Sequence, residues 1–151
     1  MVFSVPNGTP SGKPVEVSFP LPRAPQAHIH LQLTNSRTSL LIFLSTSSTE
    51  SRTAASLGSF VYAMPNLASP SNPYSTPLYT QSATLDFTTR LAKVLARKAN
   101  KPVYVGNSIS FASAGMGGTV EEEMEGFRRC VEVVTGLLET RQGGELGQSG
   151  V

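Results

Sequence analysis

The chain has 151 residues, 12 Lys and Arg against 10 Asp and Glu for a formal charge of +2, and only 15% charged and 39% hydrophobic residues. One domain of this length buries enough surface to stand alone, and so small a net charge excludes the strongly basic surface of a general nucleic-acid binder. The single cysteine, Cys130, excludes an internal disulfide and a cysteine-built metal cluster.

Residues 1–14 and 142–151 are rich in Gly, Pro, Ser and Gln and cannot bury enough apolar surface to offset ordering entropy, so both read as flexible tails around one domain at 15–141. The opening MVFSVPNGTP lacks the basic flank and apolar stretch of a secretory signal, and no run approaches the ~20 apolar residues of a membrane span. The expectation is an intracellular protein of the cytoplasm, with the nucleus left open. The Asn7-Gly8-Thr9 sequon is then without consequence.

Val15, Val17 and Phe19 alternate with Glu16 and Ser18, the period of two of a half-buried strand, which the prolines up to Pro25 end. Ile29, Leu31 and Leu33 alternate with His28, His30 and Gln32, and after a turn at Thr34-Asn35-Ser36 the run Leu40-Leu41-Ile42-Phe43-Leu44 is apolar on both sides. These make a hairpin whose second strand is central in a sheet. A further strand fits 60–64, stopped by Pro65. Residues 66–82 hold Pro70, Pro73 and Pro77 and read as a long loop, with room for a short strand at Leu78-Tyr79.

Phe87, Leu91, Val94 and Leu95 recur at helical spacing after Thr84 or Asp86 as cap, predicting a helix at 86–101 with Arg90, Lys93 and Arg97 outward and Lys98 and Lys101 in its last turn. Strand 103–105 follows, with a resumption at 109–111. Thr119 with Glu122 three residues on is a capping box, and Val120, Met124, Phe127, Val131, Val134 and Leu138 then recur at intervals of 4, 3, 4, 3, 4 as one apolar face. The fold class is therefore α+β: an antiparallel sheet of about six strands packed with two helices.

Charge is segregated. Residues 84–105 carry five basic side chains against one acidic, a net of +4, while residues 119–141 carry six acidic against three basic, a net of −3. Such polarity favours oriented protein contacts. The candidate partner-binding residues are Arg90, Lys93, Arg97 and Lys98 on the first helix and Glu121, Glu122 and Glu125 on the second.

Chemistry finds little footing. His28 and His30 share a strand face but lack a third ligand nearby, so no metal is expected. Gly115-Met116-Gly117-Gly118-Thr119 before a helix resembles a phosphate cradle, yet the P-loop lysine is missing and the adjacent glutamates would each oppose a phosphate by on the order of 1 kcal/mol. Cys130 has no neighbouring base in sequence and reads as packing. The consecutive glutamates fan around a helix instead of converging on a cleft. No catalytic residue and no cofactor is expected, and an interaction protein is the surviving class. The alternative is a small RNA-binding or scaffold module that uses the basic helix, though no aromatic interleaves with its cations as base stacking requires.

At 89–105, TRLAKVLARKANKPVYV, and at 120–127, VEEEMEGF, the chain resembles the proteasome assembly chaperone 4 family, as a fungal-type member. The upstream AHIHLQLTNSRTSLLIFL at 27–44 is similar to that family's early hairpin, so the resemblance spans 27–134. The Pro-rich loop at 66–82 and the Gly-rich tail depart from the pattern. The resemblance implies a non-enzymatic chaperone that forms a heterodimer with an assembly chaperone 3-like protein. Together the pair would hold an alpha-type subunit, expected to be alpha subunit 5, while the alpha ring of the 20S proteasome forms, with no nucleic acid and no membrane as partner. It also implies an antiparallel sheet with two helices.

Overall fold

The structure is a computed structural model that describes residues 13–21, 24–47, 57–111 and 119–149, with the backbone alone for 24, 25, 47 and 140–149. Six strands, β1 (Val15–Leu21), β2 (Ala24–Asn35), β3 (Leu40–Ser47), β4 (Ser59–Met64), β5 (Tyr74–Tyr79) and β6 (Val103–Asn107), join two helices, α1 (Ser82–Ala99) and α2 (Val120–Ser149). They form one sheet in the order β1-β2-β3-β6-β4-β5. Every neighbouring pair is antiparallel except β3 with β6, which run parallel, so the sheet is mostly but not wholly antiparallel.

The parallel pair follows from chain order. After β3 the chain builds β4, β5 and α1 before β6 returns to fill the gap between β3 and β4. Two contacts seat β6 there. The Leu40 N–H donates to the Pro102 carbonyl at 2.9 Å, and the Lys101 ammonium donates to Asn35 Oδ1 and, at 2.9 Å, to the Ser36 carbonyl. Lys101 thereby ties the end of α1 to the β2–β3 turn, and partial burial lowers its pKa.

Alternation decides which side of the sheet is covered. Ile29, Leu31 and Leu33 of β2, Leu40, Ile42 and Leu44 of β3, Val61 and Ala63 of β4, and Val103 and Val105 of β6 all point to one side and are buried. Phe87, Leu91, Ala92, Leu95 and Ala96 of α1 and Cys130 and Val134 of α2 close over them in the same core. Each fully buried Leu or Ile there contributes about 1.5–3 kcal/mol. Phe87 joins the layers, with Phe111 at 5.7 Å and Phe127 of α2 edge-on at 5.4 Å.

Several boundaries differ from the sequence reading. β1 continues through Pro20 to Leu21, which an edge strand tolerates because proline lacks only a donor. The segment expected as a loop at 66–82 holds an ordered turn, in which Asn66 Oδ1 accepts from the Ala68 and Ser69 N–H groups at 3.1 and 3.2 Å, and then all of β5. Pro77 sits within β5, again at a sheet edge.

α1 begins at Ser82, earlier than Thr84 or Asp86, and its N-cap Gln81 makes no side-chain capping bond. The Ser59 hydroxyl of β4 supplies one, accepting from the Gln81 N–H at 3.0 Å. α1 stops before 101, at Asn100, whose φ of 54° is a left-handed conformation that Asn accepts more readily than most residues. β6 runs to Asn107, and 109–111 does not resume it. The α2 backbone continues through 142–149, expected as a tail, whereas 1–12 lie outside the described residues.

Candidate partner-binding surfaces

The side of the sheet opposite the helices carries no element among the described residues, and its centre is aromatic. In register, Phe43 of β3 and Phe60 of β4 both lie opposite Gly106 of β6, and Leu41 and Tyr62 both lie opposite Tyr104. The Phe43 and Phe60 rings stack with centroids 6.1 Å apart and planes 9° from parallel. Phe60 and Tyr104 stack at 6.0 Å, and Tyr104 meets Tyr62 at 4.8 Å. Phe43 and Met64 remain exposed. Beside this cluster Glu16, Ser18, His30, Gln32, Phe43 and Ser45 border a shallow depression of about 490 Å³.

The sequence reading missed this surface. Its signal was present: Phe60 and Tyr62 alternate with Val61 and Ala63, and Tyr104 sits between Val103 and Val105. Once one side is known to be covered, the other must be aromatic.

The basic side chains form a second surface. Arg90, Lys93 and Arg97 stand on the outer side of α1 and, with Val94, Phe127 and Ser71 to Pro73, line a depression of about 290 Å³. A neighbouring depression of about 320 Å³ is lined by Arg90, Val94, Met124, Phe127, Arg128, Val131 and Glu132. The Arg90 guanidinium lies 5.3 Å from the Phe127 ring centroid and 3.4 Å from the exposed Asp86 carboxylate. Lys98 is exposed but lines neither depression.

The acidic group divides. Glu121 is exposed, Glu125 half-buried and Glu122 fully buried at 0% exposure, so Glu122 belongs to the helix start and not to an outward surface. At the helix start the Glu122 N–H donates to Thr119 Oγ1 at 3.2 Å, the first half of a capping box.

Of the six positions expected as the apolar face of α2, Val134 is buried and Phe127, Val131 and Leu138 pack partly buried against the core, but the first two lie outside. The buried line is Glu122, Gly126, Cys130 and Val134, while Val120 is 70% and Met124 54% exposed. Arg129 holds the far side of the helix, pairing with Glu132 at 3.5 Å and lying 5.7 Å from the Phe19 ring of β1.

Among the described residues no group of three or more His, Cys, Asp or Glu side chains converges to hold a metal ion. Burial pushes the Cys130 thiol up to about 12, despite the opposing pull of Arg129. The glycines at 115–118 lie outside the described residues. No described helix is long and apolar enough to cross a membrane.

A mostly antiparallel six-stranded sheet with two helices on one side, and no described element over its aromatic side, defines an α+β protein. A family model described as "Proteasome assembly chaperone 4" matches residues 28–109, more than half of the chain. The chain belongs to the proteasome assembly chaperone 4 family, and the family is one of chaperones. No curated protein matches it. Among solved structures it is similar to a chain of the crystal structure of a novel chaperone complex for yeast 20S proteasome assembly, at 17% identity and a TM-score of 0.59, over 85% of this chain and 95% of that one. At that identity the likeness is one of fold, and the shared fold is the six-stranded sheet with its two helices.

Proposed function

We propose that the chain is a non-enzymatic chaperone of the alpha ring of the 20S proteasome. It pairs with an assembly chaperone 3-like protein through the open aromatic side of its sheet, and the pair holds an alpha-type subunit, expected to be alpha subunit 5. The observation that carries this reading is the stack of Phe43, Phe60, Tyr104 and Tyr62 in a chain of this family. Aromatic clusters are the groups that dominate association energy when desolvated.

The edges of the sheet argue for face-to-face pairing. Pro20 lies in β1 and Pro77 in β5, and a proline in each edge strand discourages strand addition. The segregated charges of α1 and α2 then supply orientation and association rate more than affinity. Moderate binding suits a chaperone that is displaced when beta subunits arrive.

Affinity purification of the full chain from cells, followed by mass spectrometry, tests the reading. Recovery of a chaperone 3-like partner with alpha-type subunits and without mature beta subunits is the expected result. Recovery of neither, or a substrate turned over by purified material, would overturn it. A salt-sensitive gel shift with RNA, and no proteasome subunits, would instead favour a nucleic-acid role for the basic helix.

A further inference from the structure

We propose that the groove between α1 and α2 is a docking site for an acidic amphipathic helix of another protein. The inference rests on the reading of this chain as a binder of polypeptides, and it concerns a surface separate from the aromatic side of the sheet.

The floor is apolar and comes from two helices. Val94 lies on α1, with Arg90 and Arg97 four residues before and three after it, so the three share one ridge. Met124, Phe127 and Val131 follow at three and four residues along α2 and form the facing ridge. Two helical ridges with a valley between them accept a third helix by interdigitation, and its anchors recur at i, i+3, i+4 and i+7. Met124, 54% exposed, is a large apolar side chain that an intramolecular core would have taken in.

Charge selects the occupant. Lys93 and Arg97 stand on the α1 margin and Arg128 on the α2 margin. Asp86 pairs with Arg90, and Glu132, which itself lines the α2 margin, pairs with Arg129; among the described residues no ion pair reaches Lys93, Arg97 or Arg128. Cations on both margins of an apolar valley complement a helix with an apolar stripe flanked by carboxylates. The acidic start of α2, with Glu121, Glu123 and Glu125, repels any anion at that end of the groove; a continuous phosphate backbone or anionic lipid surface cannot avoid it, whereas a short helix can confine its carboxylates to the stretch beside Lys93, Arg97 and Arg128. Phe127 is half-buried with Arg90 over its ring, which leaves no free aromatic platform for a base.

The test uses the purified full chain and a fluorescein-labelled synthetic helical peptide with leucines at i, i+3, i+4 and i+7 and glutamates beside them. Saturable binding in the micromolar range is expected from fluorescence anisotropy. Replacing the glutamates by lysine, or the leucines by serine, should weaken it by about tenfold or more. The K93E/R97E double variant and, separately, Met124→Asp should each weaken the parent peptide about tenfold with the melting temperature preserved. Met124→Ser is the milder check on the apolar floor.

Absence of saturable binding, equal binding of the lysine peptide, indifference to both variants, or displacement by a uridine oligomer at equal concentration would each overturn the proposal. Saturable, variant-sensitive binding supports it even if no alpha-type subunit co-purifies with the chain, a result that would fall on the assembly reading alone.

Discussion

The ring of Phe43 lies across the bare Cα of Gly106, so close that a Cβ at the glycine would stand 2.6 Å from Phe43 Cδ1. Gly106 sits in register between Phe43 and Phe60 on the two flanking strands. Strands two apart are separated by roughly 9–10 Å, so two rings can stack across the middle strand only if the residue between them has no side chain. Gly106→Val should force the Phe43 ring aside and destabilise the fold by about 1–3 kcal/mol, as overpacking does. Urea denaturation measures the loss. An unchanged midpoint would mean that the ring moves freely and that the stack is not fixed.

Phe43→Asp acts on binding more than on folding, because the ring is already partly in water. A desolvated aromatic at the centre of an interface is worth about 2 kcal/mol or more, so affinity for the chaperone 3-like partner should fall by more than about tenfold. Titration calorimetry of the two purified proteins reads this. A variant that still binds normally would place the interface elsewhere.

Asn107 should be among the most costly polar residues to remove. It is buried, its Nδ2 donates to Thr88 Oγ1 at 3.2 Å, and its Oδ1 accepts from the Ile109 N–H at 2.9 Å. Thr88 in turn donates to the Thr84 carbonyl at 2.6 Å, and the Thr84 hydroxyl shares a hydrogen bond with Ser59 at 2.8 Å. Asn107→Ala leaves the Ile109 N–H buried without its acceptor, at a cost of about 1–3 kcal/mol. A double-mutant cycle with Thr88→Val should then show coupling, since the two changes remove the same bond. Strictly additive effects would refute the network.

Cys130 gives a pH signature. Its thiol is raised from an ordinary value of 9.0 to about 12 by burial, so the native state keeps the proton over a range in which the unfolded chain has lost it. The stability this contributes is fully present below pH 9 and disappears between about 9 and 12. Ellman's reagent at pH 8 should react slowly with the folded protein and rapidly in denaturant. Fast native labelling would show that the core opens there. Cys130→Ser should flatten the alkaline fall in the urea midpoint.

What the sequence made legible, and what it hid, follows from where each signal comes from. The alternation of Ile29, Leu31 and Leu33 and the run at 40–44 carry their burial pattern within themselves, and the hairpin lies where they put it. The capping box at Thr119 is equally local. β5 was hidden because Tyr74 to Tyr79 has mostly exposed side chains and a proline, so no apolar alternation marks it. The start of α1 was misplaced because its capping partner, Ser59, lies 22 residues away.

The misassigned first turn of the α2 stripe has a similar origin. Gly126 faces the core, where a Cβ would meet Phe111 Cε1 at 2.6 Å, and a glycine contributes nothing to an apolar period. Glu122 is buried although it is a charged residue type. Counting apolar residues therefore selected Val120 and Met124, which are on the outside. Of the candidate contact residues, Arg90, Lys93 and Arg97 come together, because helical spacing alone aligns them; Lys98 is exposed beside them, Glu122 is buried, and what lies opposite α1 could not be read from spacing.

The position of β6 bears on how this polypeptide is made. Emerging from a ribosome, the chain has β1 to β3 as one antiparallel ribbon and β4 with β5 as another, and neither can close onto the other until 103–107 has been released. Until then two strand borders, at β3 and at β4, lack their partner, and contacts of long sequence separation form slowly. The last described strand to arrive is the one that makes the sheet continuous, so a nascent copy cannot display its aromatic row before residues 103–107 have emerged.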